Sequence, residues 1–300
     1  MNAETLISRT PNLQAPSPTV LRLLDLLNNP NADYDEVITT VSRDPVLSAK
    51  LLGVCNSAGY GLPQPVASLD QGMLYLGFGE IHRLLMALSF GGQIATPLSG
   101  YDMEAGVLWH HSVVTALLTP RVLAISKKIT VDTSIAYTAG LVHDIGKLVI
   151  GQTLESEARE RIHQIVQAGK TSLLQAEKLV IGCDHAEVGA CLLQQWRIPE
   201  IIVEAVAHHH QPSLDGSGSL SALVHVADAV AHQTGASPGW ESFAFSLHES
   251  ALTFLGLSIA DLEALTFAAL DCQESVAKQT TVTSPESSTA RMGVAAKRSF

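Results

Sequence analysis

Apolar residues recur along most of the chain at the three- and four-residue spacing of an α-helix. Leu21, Leu24 and Leu27 form the first such stripe, and Val37 and Val41 belong to a second. This spacing puts apolar side chains on one helix face, which can then pack against a core. We find no useful length of the apolar–polar alternation that a half-buried strand shows. The pattern therefore predicts an all-α fold, built as a multi-helix bundle.

Capping residues divide this pattern into separate helices. Asp44 precedes Pro45, and Ser68 and Asp132 precede other apolar runs, as is typical of helix starts. The helix that begins after Asp132 is expected to continue through residues 139–150. Further helices are predicted over 102–128, 155–168, 173–181, 186–196, 199–209, 220–232 and 250–269.

Glycine- and proline-rich segments suggest how the chain is divided into regions. Gly91-Gly92 and the segment 97–100 predict a loop and the edge of a subdomain. The expected regions are an N-terminal arm (1–16), an N-terminal helical subdomain (17–100), a second helical subdomain (101–235), C-terminal helices (236–279) and a disordered tail (280–300) rich in Thr, Ser, Pro and Lys.

The net charge limits the choice of partner. The chain has 18 Lys and Arg against 29 Asp and Glu, a formal charge of −11, and no basic stripe. A negative field repels a nucleic-acid backbone, so no nucleic-acid partner is expected. The longest apolar stretches fall short of a bilayer span, and residues 1–10 do not resemble a secretory signal. We therefore expect a cytoplasmic protein without a membrane partner. Its four cysteines are too dispersed for a disulfide framework. Cys183, just before Asp184 and His185, could be a metal ligand, but a reduced thiol is expected.

The most informative stretch is AGLVHDIGKLVI (139–150), where His143 and Asp144 stand together in an apolar run. Neighbouring side chains on a helix point about 100° apart, so these two can share an ion only if other elements supply further ligands. An imidazole with a carboxylate suits Mn, Fe, Zn or Mg. Lys147, one turn after His143, could pair with a metal-bound phosphate. Alternatively, His143 is a core histidine and Asp144 is a cap or ion-pair partner.

Other predicted helices carry further groups that can bind a metal: His110, His111, His185, His208, His209, His210 and Asp228. Each also has a simpler structural interpretation, such as a helix terminus or a paired buried carboxylate. However, an unpaired Asp228 among Val and Ala would be costly to bury, and a cation is one possible partner.

The order of these motifs resembles that of the HD superfamily of metal-dependent phosphohydrolases, and most closely its HDOD group. The resemblance covers about residues 10–235. It rests on the linked segments SRDPVLSAKLLGVCNSAGYG (42–61), LGFGEIHRLL (76–85), LWHHS (108–112), AGLVHDIGKLVI (139–150), EKLVIGCDHAEVGACLLQQWRIPEIIVEAVAHHHQP (177–212) and HVADAVAH (225–232).

The resemblance implies a metal centre for one or two divalent ions. By the register of W-x-H-S and H-H-x-P, His111, His143, Asp144 and Asp228 would hold one ion, with His110 and His208 as neighbouring alternatives. His185, His209 and His210 would complete a second site, bridged by Asp144. The segment after His210 lacks the Glu and the Gly-Tyr-Pro that cyclic-dinucleotide hydrolases carry, which argues against that substrate.

Two functions remain open at this point. The resemblance implies a bacterial signalling or interaction module that binds a partner protein, in which the ion, if any, is structural. Alternatively, the complete ligand set would support a metal-dependent phosphohydrolase for a nucleotide or another phosphoester. In that case Asp144 would hold the metal, and Lys147 would neutralise developing phosphate charge.

Overall fold

The structure, a computed structural model, describes residues 2–27, 33–57, 60–126, 128–169, 171–212, 214, 219–236, 239–240 and 246–282. These ranges contain helices, connecting turns and one isolated β-bridge between Leu98 and Met103, but no β-strand. The predicted all-α fold is therefore confirmed. The helices are α1 (Ala3–Ser8), α2 (Pro18–Leu27), α3 (Tyr34–Ser42), α4 (Pro45–Cys55), α5 (Leu69–Leu76), α6 (Phe78–Ile94), α7 (Val107–Ile125), α8 (Thr133–Val142), α9 (Gly146–Thr153), α10 (Ser156–Gln167), α11 (Leu173–Ile181), α12 (His185–Gln195), α13 (Glu200–His208), α14 (Ser219–Gln233), α15 (Glu249–Leu255) and α16 (Ile259–Val282).

Several helices begin where their capping residues predict. The Asp44 carboxylate accepts a hydrogen bond from the Leu47 amide at 3.0 Å, with Pro45 in the first turn. Ser68 caps α5, and Asp132 accepts from the Ser134 amide at 2.7 Å at the start of α8. These side chains satisfy amide groups that have no partner within the helix.

The expected continuous helix through 139–150 is wrong. Helix α8 ends at Val142, and His143, Asp144 and Ile145 form a turn before α9 begins at Gly146. Within this turn the Ile145 amide bonds to the Val142 carbonyl and the Lys147 amide to the Asp144 carbonyl, a three-residue spacing tighter than that of an α-helix. The apolar pattern continues across the turn because both helices are buried, so periodicity alone does not reveal the break.

Three other boundaries also differ from the sequence-based prediction. Gly91 and Gly92 lie inside α6 rather than in a loop, and a Cβ atom at Gly91 would lie 3.0 Å from the Trp109 ring. Helix α7 begins at Val107, not at 102. The single C-terminal helix is instead two, α15 and α16, separated at Gly256, which has a positive φ of 71°. Glycine adopts this conformation more readily than other residues.

Helix α7 lies at the centre of the second half of the chain and packs against α8, α14 and α16. Helix α9 packs against α12, which also contacts α13 and the N-terminal helix α1. Buried apolar residues form one cluster that includes Leu51 and Leu85 in the first half and Leu118 and Val226 in the second. The arrangement brings the C-terminal ends of α8 and α13 and the start of α12 close to the second turn of α7 and the C-terminal half of α14.

The C-terminal tail is described only in part. Residues 283–300, most of the tail predicted to be disordered, lie outside the described residues, whereas α16 continues to Val282.

In the described part of the chain, no single helix has both the length and the apolar character needed to cross a membrane. The sharply bent pair Glu249–Leu255 and Ile259–Val276 meets these criteria only when its two helices are taken together.

Candidate metal centre

Two glycines allow the backbone approaches on which the site depends. A Cβ atom at Gly140 would lie 2.9 Å from Ala116 Cα, so α8 can approach α7 closely only because this side chain is absent. A Cβ atom at Gly146 would overlap the carbonyl oxygen of His185 and lie 2.6 Å from the Gly189 nitrogen. These contacts bring the turn between α8 and α9 towards His111 on one side and His185 on the other.

The structure brings together all seven residues that the resemblance implies as metal ligands. His111, His143, Asp144, His185, His209 and Asp228 are at most 1% exposed, and His210 is partly buried. Their potential ligand atoms form overlapping groups, and within each group all of these atoms lie within 4.8 Å of one another. One of these groups also includes His232. Residues separated by more than a hundred positions along the chain therefore meet in one cluster.

One half of the cluster surrounds Asp228. His111 Nε2 lies 3.0 Å from Asp228 Oδ1 and 3.2 Å from His143 Nε2. His143 Nε2 lies 3.5 Å from both Asp228 Oδ1 and Asp144 Oδ2. We call this set (His111, His143, Asp144, Asp228) the first half-site.

The other half of the cluster uses the second oxygen of Asp144. His185 Nε2 lies 3.5 Å and His209 Nε2 lies 3.8 Å from Asp144 Oδ1. His210 Nε2 is 2.9 Å from His185 Nε2. This set (Asp144, His185, His209, His210) is the second half-site. Because the two oxygens of Asp144 face different half-sites, this carboxylate lies where a bridging ligand would be needed.

The tautomers of four imidazoles are fixed by oxygen atoms behind them. Nδ1–H of His143 donates to the Gly140 carbonyl at 2.8 Å, and that of His209 donates to the Val206 carbonyl at 2.7 Å. His111 donates in the same way to the Ala236 carbonyl, and His185 donates to the Glu177 carboxylate at 2.8 Å. These oxygens can only accept, so each ring in its neutral form directs its Nε2 lone pair into the cluster.

This donor set fits a divalent cation. Ligand atoms about 2.1 Å from an ion lie about 3.0–3.4 Å from their neighbours, close to the separations found here. Asp144 Oδ1 and His209 Nε2 are buried without a hydrogen bond. Buried polar atoms without a partner are costly, and coordination to an ion would satisfy both. The cluster therefore supports the prediction of a divalent metal cofactor. Which metal binds, and whether one or two ions bind, remain predictions.

The electrostatics favour the protonation states that a metal ligand needs. Burial tends to raise the pKa of Asp144, but Lys147 and His143 hold it well below its usual value. Burial likewise opposes ionisation of Asp228, yet His232 and His143 keep its pKa well below the usual value. Burial lowers the pKa of His209 to about 3. The carboxylates are thus ionised and this ring is neutral, as coordination requires.

His143 behaves differently because two carboxylates flank it. Burial would lower its pKa, but Asp144 and Asp228 outweigh burial and raise the pKa overall. The two carboxylates therefore attract positive charge, which a bound cation would supply.

Lys147 is fully buried and donates from Nζ to Asp144 Oδ2 at 2.7 Å. It does not line the neighbouring cavity described below. In this position it orients Asp144 and partly compensates the two buried carboxylates of the cluster. The predicted contact with a phosphate remains a prediction.

Two members of the site escaped the sequence analysis. His232 lies one turn after Asp228 on α14, with its Nε2 atom 3.3 Å from Asp228 Oδ1; the four-residue spacing could have suggested it. Glu177, which is fully buried, accepts hydrogen bonds from both the backbone amide and the ring of His185. No local spacing signals this contact, because it depends on how α11 leads into α12.

The neighbouring histidines that the sequence left as alternatives lie outside the cluster. His208 is 49% exposed and is 3.5 Å from Glu204, while His110 is partly exposed and close to Gln273 of α16. Cys183 is a buried free thiol, and burial raises its pKa to about 11. It is not part of the His/Asp groups among the described residues.

A cavity of about 540 Å³ borders the second half-site. His210 is the cluster residue that lines it, and Lys178, Asp184, Glu187 and Gln211 are among the other lining residues. Lys178 Nζ lies 3.0 Å from Asp184 and 3.1 Å from Glu187, so its charge is already paired. The cluster can therefore be approached from this side only past His210 and this ion-paired rim.

Similar proteins share sequence with part of this chain. An uncharacterized protein from Treponema pallidum is 25% identical over 199 residues, which make up 66% of this chain and 37% of that protein. Ribonuclease Y from Thermus thermophilus is 32% identical over 130 residues, or 43% of this chain and 16% of that protein. The chain thus spans well under half the length of these curated relatives.

Solved structures share the fold more extensively. A Marinobacter aquaeolei protein with a proposed role in signal transduction gives a TM-score of 0.76 at 20% identity, covering 92% of this chain and 61% of that one. An HDOD domain protein of unknown function from Geobacter sulfurreducens gives a TM-score of 0.67 at 24% identity, covering 93% and 92%.

The family follows from the sequence match together with this fold. A family model described as the HDOD domain matches residues 13–212. The buried His/Asp cluster lies partly inside this range and is completed by Asp228 beyond it. The chain belongs to the HDOD family.

Proposed function

We propose that this protein is a bacterial signalling module of the HDOD family that holds one or two divalent ions in the cluster and acts through a partner protein. The observation that carries the metal part is the convergence of four imidazoles, each fixed by an oxygen at Nδ1, on two ionised carboxylates. Without an ion, this arrangement concentrates lone pairs and negative charge in a buried space.

The first half-site would hold one ion and the second half-site another, with Asp144 shared between them. The groups include six imidazoles, with His232, and two carboxylates. Such a nitrogen-rich set favours Fe, Mn or Zn over Mg, which prefers oxygen ligands and retained waters. Of the four candidate metals, Mg²⁺ is accordingly the weakest.

Metal content tests this part of the proposal. The full chain, purified without chelator, is expected to contain one or two equivalents of Fe, Mn or Zn by elemental analysis. Removal of the metal should lower the melting temperature, because an ion that binds only the folded state stabilises it. A chain that binds none of these ions, and whose melting temperature ignores both chelator and added metal, would contradict the proposal.

Burial favours a structural ion over a catalytic one. Metals with structural roles are enclosed by protein ligands, whereas catalytic sites keep an open position. Here six of the seven predicted ligands are at most 1% exposed. Exposed apolar side chains lie elsewhere, and Leu74 (83%) and Tyr75 (51%) on α5 would suit contact with a partner protein. The similarity of fold to the Marinobacter protein supports the signalling role.

The alternative function is a cytoplasmic metal-dependent phosphohydrolase that acts on a nucleotide or another phosphoester. The cavity beside His210 favours it, since a substrate could reach the second half-site there. Similarity to ribonuclease Y over part of the chain is a further argument, although the net charge of −11 still disfavours a nucleic-acid substrate. Bound ions would activate water and polarise the phosphoryl group. In this proposal Asp144 holds the metal, and Lys147 keeps Asp144 oriented and adds positive charge.

Activity assays separate the two functions. The metal-loaded chain is tested with bis(p-nitrophenyl) phosphate and a panel of nucleotides, alongside Asp144→Asn and the cavity variant Lys178→Ala. Turnover that Asp144→Asn abolishes without unfolding would establish the phosphohydrolase. A chain that binds metal stoichiometrically and turns over none of these compounds supports the signalling module.

A further inference from the structure

His185 differs from the other fixed imidazoles in what lies behind it. His111, His143 and His209 each donate from Nδ1 to a neutral backbone carbonyl. His185 donates to a carboxylate, that of Glu177. A carboxylate behind a ligating imidazole fixes the ring and makes the opposite nitrogen a stronger metal donor.

Glu177 is itself held firmly. Its Oε2 atom accepts from the His185 ring at 2.8 Å and from the His185 backbone amide at 2.9 Å. Its Oε1 atom accepts from the Tyr101 hydroxyl at 2.6 Å. Glu177, His185 and Tyr101 are all completely buried, so these charge-assisted hydrogen bonds are shielded from water.

Tyr101 connects this chain of hydrogen bonds to another part of the fold. It lies in a short 3₁₀ helix, Ser99–Tyr101, in the connection between α6 and α7. Glu177 lies on α11, and His185 begins α12. A segment about 80 residues away in the sequence therefore joins the consecutive helices α11 and α12 behind one imidazole of the second half-site.

We propose that Glu177 and Tyr101 are positioning residues for the second half-site and set its metal affinity separately from that of the first. This inference rests on the metal-binding part of the proposed function. It adds that the two half-sites bind unequally, and that the connection between α6 and α7 controls the difference through Tyr101, Glu177 and His185.

The test compares Glu177→Gln, Glu177→Ala and Tyr101→Phe with the full wild-type chain, titrated with Mn²⁺ alone. Loss of a carboxylate behind a metal-binding histidine typically costs about 10- to 100-fold in affinity. We expect a loss of this size at one of the two binding steps for Glu177→Ala, a smaller loss at the same step for Glu177→Gln and the smallest for Tyr101→Phe. The other step should be unchanged.

Glu187→Gln is the matched control. Glu187 lies only two residues from His185 on the same helix, but it contacts the Asp184 backbone amide rather than the imidazole. Glutamine preserves this capping interaction, so both binding steps should match those of the wild type. Equal losses in Glu187→Gln and Glu177→Gln, or unchanged binding in both, would overturn the inference.

A second measurement uses the metal-free chain and does not require bound ions. Long-range ¹⁵N–¹H spectra report the tautomer of each imidazole, with the His185 signals assigned by their loss in His185→Gln. The wild type should carry its proton on Nδ1, and Glu177→Ala should show a mixture of tautomers. Glu177→Gln, which keeps the side-chain volume, serves if the alanine variant does not fold.

The two readouts separate failure of the inference from failure of the proposed function. A wild type that binds no Mn²⁺, and no Fe or Zn by elemental analysis, defeats the metal-binding proposal, yet a Glu177-dependent tautomer would still support the positioning role. Two Mn²⁺ bound normally by both Glu177 variants, with an unchanged His185 tautomer, would defeat the inference and leave the metal-binding proposal intact.

Discussion

Two regions of the molecule bury histidine in opposite ways. In the N-terminal half, His82 is 3% exposed, contacts the Tyr137 ring edge-on and has no hydrogen bond at Nε2. Burial lowers its pKa to about 3. In the second half, His143 is more deeply buried, but Asp144 and Asp228 raise its pKa. The same side chain is thus a neutral core residue in one region and part of an electron-rich cluster in the other.

The comparison shows that burial alone does not identify a functional histidine. What distinguishes His143 is the carbonyl oxygen behind its ring and the two carboxylates in front of it. His82 has neither feature among its described contacts. Four experiments test this distinction, in decreasing order of expected effect.

The largest effect is expected where the backbone of α9 approaches α12. Gly146→Ala would force a methyl group into the His185 carbonyl, and the backbone cannot yield without separating the two half-sites. We expect a loss of more than about 4 kcal/mol in the free energy of unfolding, measured with urea. Gly53→Ala in α4 is the control, because a Cβ there meets nothing within 4 Å. It should stabilise the chain by up to about 1 kcal/mol. Equal effects would refute the proposed close approach.

Asp228→Asn should remove the stabilisation that metal in the first half-site provides. At a Mn²⁺ concentration 100 times the dissociation constant of this half-site, its occupation should add about 2.7 kcal/mol to the free energy of unfolding of the wild type. The variant should lose this contribution, because a neutral amide replaces the carboxylate shared by His111 and His143. Glu204→Gln, which alters an exposed carboxylate on α13, should respond as the wild type does. A full metal response in Asp228→Asn would exclude this residue as a ligand.

His82 should make the N-terminal half sensitive to acid. Its pKa of about 3 in the folded state lies below the value near 6.5 expected in the unfolded state, so the fold favours the neutral ring. The associated stability is complete above about pH 6.5 and falls as the pH is lowered towards 3, by about 2 kcal/mol at pH 5. His82→Leu should lose less stability between pH 7.5 and pH 5 than the wild type, by this amount. Identical pH dependence in the two proteins would refute the assignment.

The smallest effect is expected on the exposed face of α5. Leu74 is 83% exposed, so Leu74→Ser should change the free energy of unfolding by less than about 0.5 kcal/mol. Leu51, which is fully buried, gives the contrast, because Leu51→Ala should cost about 2–5 kcal/mol. A large destabilisation by Leu74→Ser, seen in thermal unfolding, would show that this face is occupied within the fold and is not available to a partner.

The sequence predicted the parts of the fold that depend on local chemistry. The caps at Asp44, Ser68 and Asp132 act within one turn, so their pattern marks the helix starts directly. The turn at His143–Ile145 and the helical placement of Gly91 depend instead on close packing against other helices. Periodicity cannot report such contacts.

The same distinction applies to the site. Motif order pointed to the seven candidate ligands, because their types and sequence context are distinctive. Glu177 was not predicted, since its role appears only when α11 and α12 are placed in space. His232 had a usable signal in its spacing from Asp228, but its proximity to His111 is a tertiary feature.

The most direct test of the central claim is anomalous X-ray diffraction from crystals of the full chain grown with Mn²⁺. We predict a peak within coordination distance of His111, His143, Asp144 and Asp228, with a second peak near His185, His209 and His210 if two ions bind. Clear density for these side chains without any anomalous peak among them, at saturating Mn²⁺, would contradict the account.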